Sequence, residues 1–444
     1  MEFCSISIAR AFAGAFVVAG SLLLAATSHA EWVTDPGTGC RAVNPNPRPN
    51  ETIEWTGDCR DGLTQGLGAV IWYRDDKLNS FSVANFTDGK WGKLPDEYRL
   101  PIARHVADEG NAAAQKYLGD LYLDGNGVSR DDAEAVRWYR KSAEQGYAEG
   151  QNFLGYMYNE GKGVSRDDAE AVRWYRTSAE GGDASAQFNL GYMYRNGLGV
   201  SQNDTEAARW YRKSAEQGHA SAQFNLGYLY ENGYGVARND TEAVRWYRKS
   251  AEQGHASGQN NLGYMYKEGK GVSQEYAFAE RWYRKSAEQG NASAQFNMGY
   301  LYQKGNGVSR DAAEASRWYR KSAEQGLAVA QNNLGFLYQN GNGVSRNYAE
   351  AMRWYRKSAE QGNASGQYNL GYLYDKGKGV SADLDQAKLW YRKAAALGHE
   401  NARKQLALIA DGGFKVCNKS HGTVAIAYAV HAGRNNPAGE PLFN

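Results

Sequence analysis

Apolar positions between residues 111 and 398 return with two periods at once. Over residues 112–124, Ala114, Leu118, Leu121 and Tyr122 are spaced by three and four, as one face of a helix requires. Ala135, Trp138, Tyr139 and Ala143 mark a second helix with the same spacing. The pair of patterns then recurs every 36 residues, so that Arg137–Gly146, Arg-Trp-Tyr-Arg-Lys-Ser-Ala-Glu-Gln-Gly, is echoed around Trp174, Trp210, Trp246, Trp282, Trp318, Trp354 and Trp390. Leu-Gly pairs keep register with it at Leu118, Leu154, Leu190, Leu226, Leu262, Leu334 and Leu370, with Met298 in the remaining copy. A fixed period of this length marks a repeat architecture. Residues identical in every copy are expected to hold the copies together, so Trp138 and its seven equivalents read as packing between layers.

Polar punctuation agrees with the helical reading. Gly125-Asn126-Gly127-Val128 and its equivalents end the first helix, glycine entering the left-handed region without a side-chain penalty. The second helix starts after Asp131, Asp167, Asn203, Asn239, Glu275, Asp311, Asn347 or Asp383, and the residue three later is Glu or Gln in seven of eight copies. These types satisfy the free amides of a helix start. Arg140 and Glu144 are expected to form a solvent-facing pair. Copy five departs from the rule, with Glu275, Tyr276, Phe278 and Glu280 replacing the usual cap, Asp, Glu and Val.

The Ala-x-Ala/Gly-Gln start, Leu-Gly-x-x-Tyr, Gly-x-Gly-Val, Asp/Asn-x-x-Glu-Ala and Trp-Tyr-x-x-Ser-Ala together closely resemble the Sel1-like repeat, a relative of the tetratricopeptide repeat. The resemblance covers eight copies over 111–398 and implies an all-α, right-handed superhelix of antiparallel helix pairs that binds proteins. Stacking is also required physically, because a lone helix pair cannot bury its apolar face.

The flanks differ in kind. Residues 1–30 have the layout of a signal peptide: Arg10, an apolar run from Ala11 to Ala26, and Ser28-His29-Ala30 before the cleavage point. That run falls short of the ~20 residues of a spanning helix, so the mature chain is expected to be exported, periplasmic or secreted, without a transmembrane segment. Residues 31–92 read as a small β-rich block, including the strand Ala69–Tyr73. In an oxidising compartment, Cys40 and Cys59, which bracket a Pro-rich loop, are expected to form a disulfide. The spacing Gly57, Gly62, Gly66, Gly68 resembles a MORN motif. Residues 93–110 form a degenerate half repeat capping the array, with Ile102 at the Trp position, and 399–411 a closing helix. The tail 412–444 alternates as two strands would, at 414–419 and 424–429, resembles the opening of a small bacterial domain of exported proteins, and leaves Cys417 unpaired.

Composition narrows the function. The near balance of 51 basic and 49 acidic residues lacks the clustered excess that a nucleic-acid surface needs. Aromatic residues make up 13% of the chain although its mean hydropathy is −0.69, as suits an elongated array with large, regularly placed apolar groups. His219, His255 and His399 share one repeat position, whole repeats apart and too distant to share a zinc ion whose ligands lie at ~2 Å; they read as solvated turn residues. No Gly-x-Ser-x-Gly elbow occurs. No cofactor, metal or enzymatic activity is expected.

Partner contacts are expected on the first helices, where positions equivalent to 113, 116, 117, 120 and 124 face away from the predicted core. Asparagine persists at Asn189, Asn225, Asn261, Asn297, Asn333 and Asn369, beside Phe188, Phe224, Phe296 and Tyr368 and close to Tyr192, Tyr228, Tyr264 and Tyr300. One reading makes this ladder a clamp for an extended peptide, amides meeting its backbone and rings its side chains. The other has each asparagine bond to the adjoining helix and set the stacking. The expected function is therefore an exported scaffold for protein or peptide partners. The alternatives are a structural or assembly component working with membrane-bound envelope proteins and, more remotely, a cell-wall hydrolase.

Overall fold

The computed structural model describes residues 31–34, 41–44, 51–55, 57–60, 63–74, 77–87, 90–92 and 96–411. The leader 1–30, Cys40, the side chain of Cys59 and the tail 412–444 with Cys417 lie outside the described residues. Two compact units divide the chain, one ending at Trp246 and the other beginning at Tyr247.

The first unit starts with strands β1 (Glu31–Thr34), β2 (Arg41–Asn44), β3 (Glu51–Trp55), β4 (Asp58–Arg60), β5 (Leu63–Arg74), β6 (Lys77–Thr87) and β7 (Lys90–Gly92). β5 and β6 form a long antiparallel hairpin with a register shift at Trp72/Tyr73. β3 and β4 also pair with β5. Ala69 and Ile71, two residues apart and so on one face of the strand, join Phe81 in a cluster with Ala103, Val106 and Ala107 of helix α1 (Asp96–Asp108) and Leu118 of helix α2 (Ala112–Asp124). The predicted strand and capping helix thus meet each other directly, the hairpin covering the apolar face that the first repeat would otherwise leave open.

Each repeat is a pair of 13-residue helices; in copy one these are α2 and α3 (Asp132–Glu144), and eighteen helices occur among the described residues. The caps follow the sequence. Asp131 Oδ1 accepts from the backbone N–H of Ala133 and of Glu134, both at 3.0 Å. Gly125 lies in the left-handed region at φ 71° and donates its N–H to the Leu121 carbonyl. The second glycine of Gly-x-Gly-Val has another reason to be there. A Cβ on Gly163 would stand 2.1 Å from the Asp132 carbonyl oxygen, so this loop rests on the start of the second helix one repeat earlier, as do those at Gly199, Gly235, Gly307, Gly343 and Gly379.

Packing is organised around tyrosine. Tyr139, Tyr211, Tyr319 and Tyr355 are all at most 1% exposed. Each ring lies against the glycine of a Leu-Gly pair: a Cβ on Gly119 would stand 2.6 Å from the Tyr139 ring, and one on Gly191 2.8 Å from that of Tyr211. That glycine is room for the ring, since an added methyl would have no space in a core packed to crystal density. Ser142 Oγ ties the two helices together by donating to the Ala112 carbonyl at 2.6 Å, a bond repeated at Ser178, Ser214, Ser286, Ser322 and Ser358.

Tryptophan bridges repeats. Trp210 packs into a cluster with Leu190 and Met193 of its own copy and Ala171 and Tyr175 of the preceding one, and Trp318 and Trp354 do the same in the second unit. Trp138, Trp210, Trp246, Trp318 and Trp354 are buried, whereas Trp174, Trp282 and Trp390 are half-buried. Arg140 does not pair with Glu144: it donates to the Tyr158 hydroxyl of the next repeat at 2.7 Å. The same clasp recurs at Arg176–Tyr194, Arg212–Tyr230, Arg284–Tyr302 and Arg356–Tyr374. In copy five Glu275 makes no side-chain cap bond; Phe278 stacks on Tyr266 at 5.2 Å and Glu280 pairs with Arg284.

Candidate functional site on the first helices

Neighbouring first helices lie close enough that the presumed outward row is shared between them. Phe188, Asn189, Phe224, Asn225, Asn261, Phe296, Asn297, Tyr368 and Asn369 are half-buried, and Asn333 is 6% exposed. Three of the asparagines bond across helices. Asn189 Nδ2 donates to Asn152 Oδ1 at 3.0 Å, Asn297 to Asn260 at 3.0 Å and Asn369 to Asn332 at 2.9 Å. The acceptor in each case stands at the Phe188 position of the preceding copy, so the rung forms where that position holds asparagine.

At Phe188, Phe296 and Tyr368 the ring instead packs onto a tyrosine of the following second helix, and at Phe188 and Tyr368 also onto the histidine cap after it. Phe188 lies 4.9 Å from the His219 ring and 5.7 Å from that of Tyr211, Phe296 lies 5.6 Å from Tyr319, and Tyr368 lies 4.5 Å from His399. The asparagine one repeat later then loses its rung. Asn225 donates to the Ser221 carbonyl of its own helix at 2.9 Å. Asn333 accepts from Asn332, while its own Nδ2 has no partner among the described residues. Asn261 accepts from the adjacent Asn260.

Copy one builds the row from charge. Lys116 Nζ sits 3.1 Å from Asp120 and 3.0 Å from Glu149, and Asp120 accepts from the Tyr139 hydroxyl at 2.9 Å. Burial disfavours the Lys116 ammonium, but its two carboxylate partners more than reverse this and hold its pKa above the ordinary lysine value. Burial raises the Asp120 pKa, against the pull of Lys116. A mutually satisfied pair of this kind is a structural joint.

The tyrosines are where the surface opens. Tyr192 is 46% exposed, and Tyr228 and Tyr234 are each 38% exposed. Together with Arg195, Asn196, Gln202, Tyr211, Asn225 and Leu229, Tyr192 and Tyr228 line a cleft of about 430 Å³ in the first unit. Arg195 pairs with Asp204 at 2.8 Å and lies 4.4 Å over the Tyr234 ring. In the second unit Tyr264 accepts from Lys270 at 3.0 Å, and Lys267 lies 5.1 Å over the Tyr300 ring. The sequence expectation included Tyr192, Asn225 and Tyr228 but missed Arg195, Gln202 and Tyr211. Arg195 could have been found as one of few basic residues at its repeat position.

The histidines are caps. His219, His255 and His399 each accept through Nδ1 from the N–H three residues on, at 3.2, 3.1 and 3.3 Å. They are half-buried N-caps, not solvated turn residues, because the turn folds each ring back onto its own helix. Among the described residues no group of three His, Cys, Asp or Glu could hold a metal ion, and no helix is long and apolar enough to cross a membrane.

No curated protein matches the chain. Two solved structures resemble it closely enough to inform the fold. One, a protective antigen present in uropathogenic Escherichia coli strains that displays an SLR fold, shares 42% identity over 70% of this chain and 67% of its own, with a TM-score of 0.63. The other, a Sel1 repeat protein from Oxalobacter formigenes, shares 35% identity over 69% of this chain and 89% of its own, with a TM-score of 0.53. The Sel1 repeat profile matches eight consecutive segments, 112–147, 148–183, 184–219, 220–255, 256–291, 292–327, 328–363 and 364–399, within one residue of the expected boundaries. With its glycine-seated tyrosines, serine ties and these eight matches, the chain belongs to the Sel1 repeat family.

Proposed function

We propose that this Sel1 repeat chain, a protein-interaction scaffold, is exported and captures a protein or peptide on the exposed tyrosines of its first helices. The observation that carries the reading is the cleft between Tyr192 and Tyr228, where large rings stay in water beside Asn225, an asparagine that bonds only within its own helix. Aromatic side chains that keep a polar tip beside an adaptable amide suit a protein contact. The leader-like residues 1–30 support export, as does the similarity to a protein described as a protective antigen. In that setting a Cys40–Cys59 disulfide and a MORN-like fold for 31–92 complete the proposal, together with a right-handed superhelical course of the repeats.

Affinity capture tests it. Immobilised protein is incubated with envelope extract, side by side with a Tyr192→Ala/Tyr228→Ala variant. A soluble partner retained by the native protein and lost from the variant is expected. Equal retention of several membrane proteins by both would favour the assembly role and overturn capture at this face.

A further inference from the structure

The last repeat breaks a rule that the other seven keep. A stacked array needs a polar face at its free end. Leu384, Leu389, Leu397 and Leu408 are nevertheless 51, 42, 57 and 63% exposed, and they are the exposed leucines among the described residues. Arginine stands at the Leu389 position in all seven earlier copies, from Arg137 to Arg353, and glutamine at the Leu397 position in six of them. The second exchange is not neutral. Gln361 donates to Gln331 Oε1 at 2.8 Å, whereas Leu397 leaves the equivalent oxygen of Gln367 buried with no partner among the described residues. A repeat that gives up a buried hydrogen bond and a surface charge for exposed leucine presents a contact surface.

The preceding copy shows where the contact lies. The closing helix, Glu400–Asp411, docks on the second helix of copy eight, Leu384–Ala396, as a first helix does: Leu406 and Ile409 pack with Ala387 and Tyr391, just as Leu370 and Leu373 pack with Ala351 and Tyr355. One repeat earlier, Lys378 of the Gly-x-Gly-Val loop lies over the rings of Tyr348 at 5.5 Å and Tyr372 at 5.0 Å, and it donates to the Tyr372 hydroxyl at 3.1 Å. One period further on, these three positions read Phe414, Leu384 and Leu408, and Gly413 and Val416 keep the register of Gly377 and Val380. A polar trio is replaced by an apolar one, with all three members changed together. Lys415 departs from the rule. It stands at the position of Gly379, where a Cβ would lie 2.7 Å from the Tyr348 carbonyl carbon, so a chain returning here runs farther from the helix than the other loops do and leaves a gap for side chains to fill.

We propose that residues 413–416 return over the end of the array and seat Phe414 between Leu384 and Leu408, so that the chain's own tail caps its last repeat. The occupant needs no recruitment, because Asp411, where the closing helix ends, is three residues from both Leu408 and Phe414.

Crosslinking on the full chain tests it. With p-benzoylphenylalanine in place of Phe414, irradiation should join residue 414 to the peptide that carries Leu384 of the same chain, as mass spectrometry of mixed light and heavy isotope-labelled copies reports. In parallel, Phe414→Lys should lower the melting temperature by about 2 to 4 °C, because it sets a cation against two leucines. Adding Leu384→Tyr and Leu408→Tyr should recover that loss by rebuilding the trio of Lys378. Crosslinks between light and heavy copies would assign the face to a second copy of the chain, and crosslinks that miss the Leu384 peptide would leave it to another partner; either overturns the inference. So does an unchanged melting temperature in Phe414→Lys, or a loss that the two tyrosines do not recover.

Discussion

The two helices of a repeat are built to opposite rules. Second helices are close to copies of one another: a tyrosine enclosed against a glycine, a serine tied to a carbonyl 30 residues back, and an arginine clasped to the next repeat's tyrosine. First helices share a core of Ala, Leu and Gly but vary at the row between neighbours, which is charged at Lys116, an amide rung at Asn297 and an aromatic stack at Phe188. The difference teaches where selection on packing ends. A side chain that touches three helices tolerates no change, whereas one that touches a single neighbour and water can be exchanged, and recognition can be written there.

The largest effect that would break this comparison lies on the second helix. Tyr319→Ala should cost about 3 to 5 kcal/mol, because the ring is enclosed on every side and the cavity cannot refill. Trp318→Ala should cost less, since Trp318 keeps 7% exposure and the Lys321 chain lies 4.3 Å over its ring, ready to cover the gap. Urea unfolding of both variants decides the order. A larger loss for Trp318→Ala would return the organising role to the tryptophans. Because repeats unfold by neighbour-coupled steps, the loss should first appear as melting of the second unit.

That order was only half legible in the sequence. Helix bounds and caps could be read because they depend on residues within four positions: Ala112–Asp124, the Asp131 cap and the Gly125 stop follow the pattern. What depended on stacking could not. The nearest neighbour of Arg140 is set by how the next repeat docks, which places Tyr158 in reach and not Glu144. The glycine of each Leu-Gly pair gave no sign that it was a seat for a ring twenty residues on. Of the candidate face, the exposed tyrosines were visible as residues, but the half-burial of the asparagine row was not, because it follows from the distance between two helices. Arg195 was visible in the sequence as a basic residue at a mostly uncharged or acidic repeat position, but its place in the cleft with Tyr192, Asn225 and Tyr228 depends on how the next first helix docks.

A smaller effect separates two asparagines of the same row. Asn297→Ala should cost about 1 kcal/mol, because it strips a cross-helix bond and strands the half-buried Asn260 oxygen. Asn225→Ala should stay within about 0.5 kcal/mol, the usual range for a surface change, while weakening partner capture at the Tyr192–Tyr228 cleft. Thermal melts paired with capture assays read both. Equal stability losses would mean that the row is structural throughout.

The smallest effect is one of pH, and it sets the histidine caps against their asparagine equivalents. His255 caps its helix only while Nδ1 is unprotonated, as the 3.1 Å bond from the Gly258 N–H requires. Burial lowers its pKa, and that of His399, below the ordinary histidine value. The unfolded chain therefore binds a proton near pH 6.5 that the fold refuses until lower pH, so stability is full above about 6.5 and falls as the pH drops through the folded value. The loss is bounded by the worth of a cap, about 1 kcal/mol. Copies six and eight avoid it: Asn291 and Asn363 cap the same position through a side-chain oxygen at 2.9 and 2.8 Å that does not titrate. His255→Asn should accordingly leave the melting temperature unchanged at pH 8 and raise it relative to the native chain at pH 5. Parallel melting curves for the two proteins across that range would show that the ring caps no better than water and contributes nothing as a neutral base.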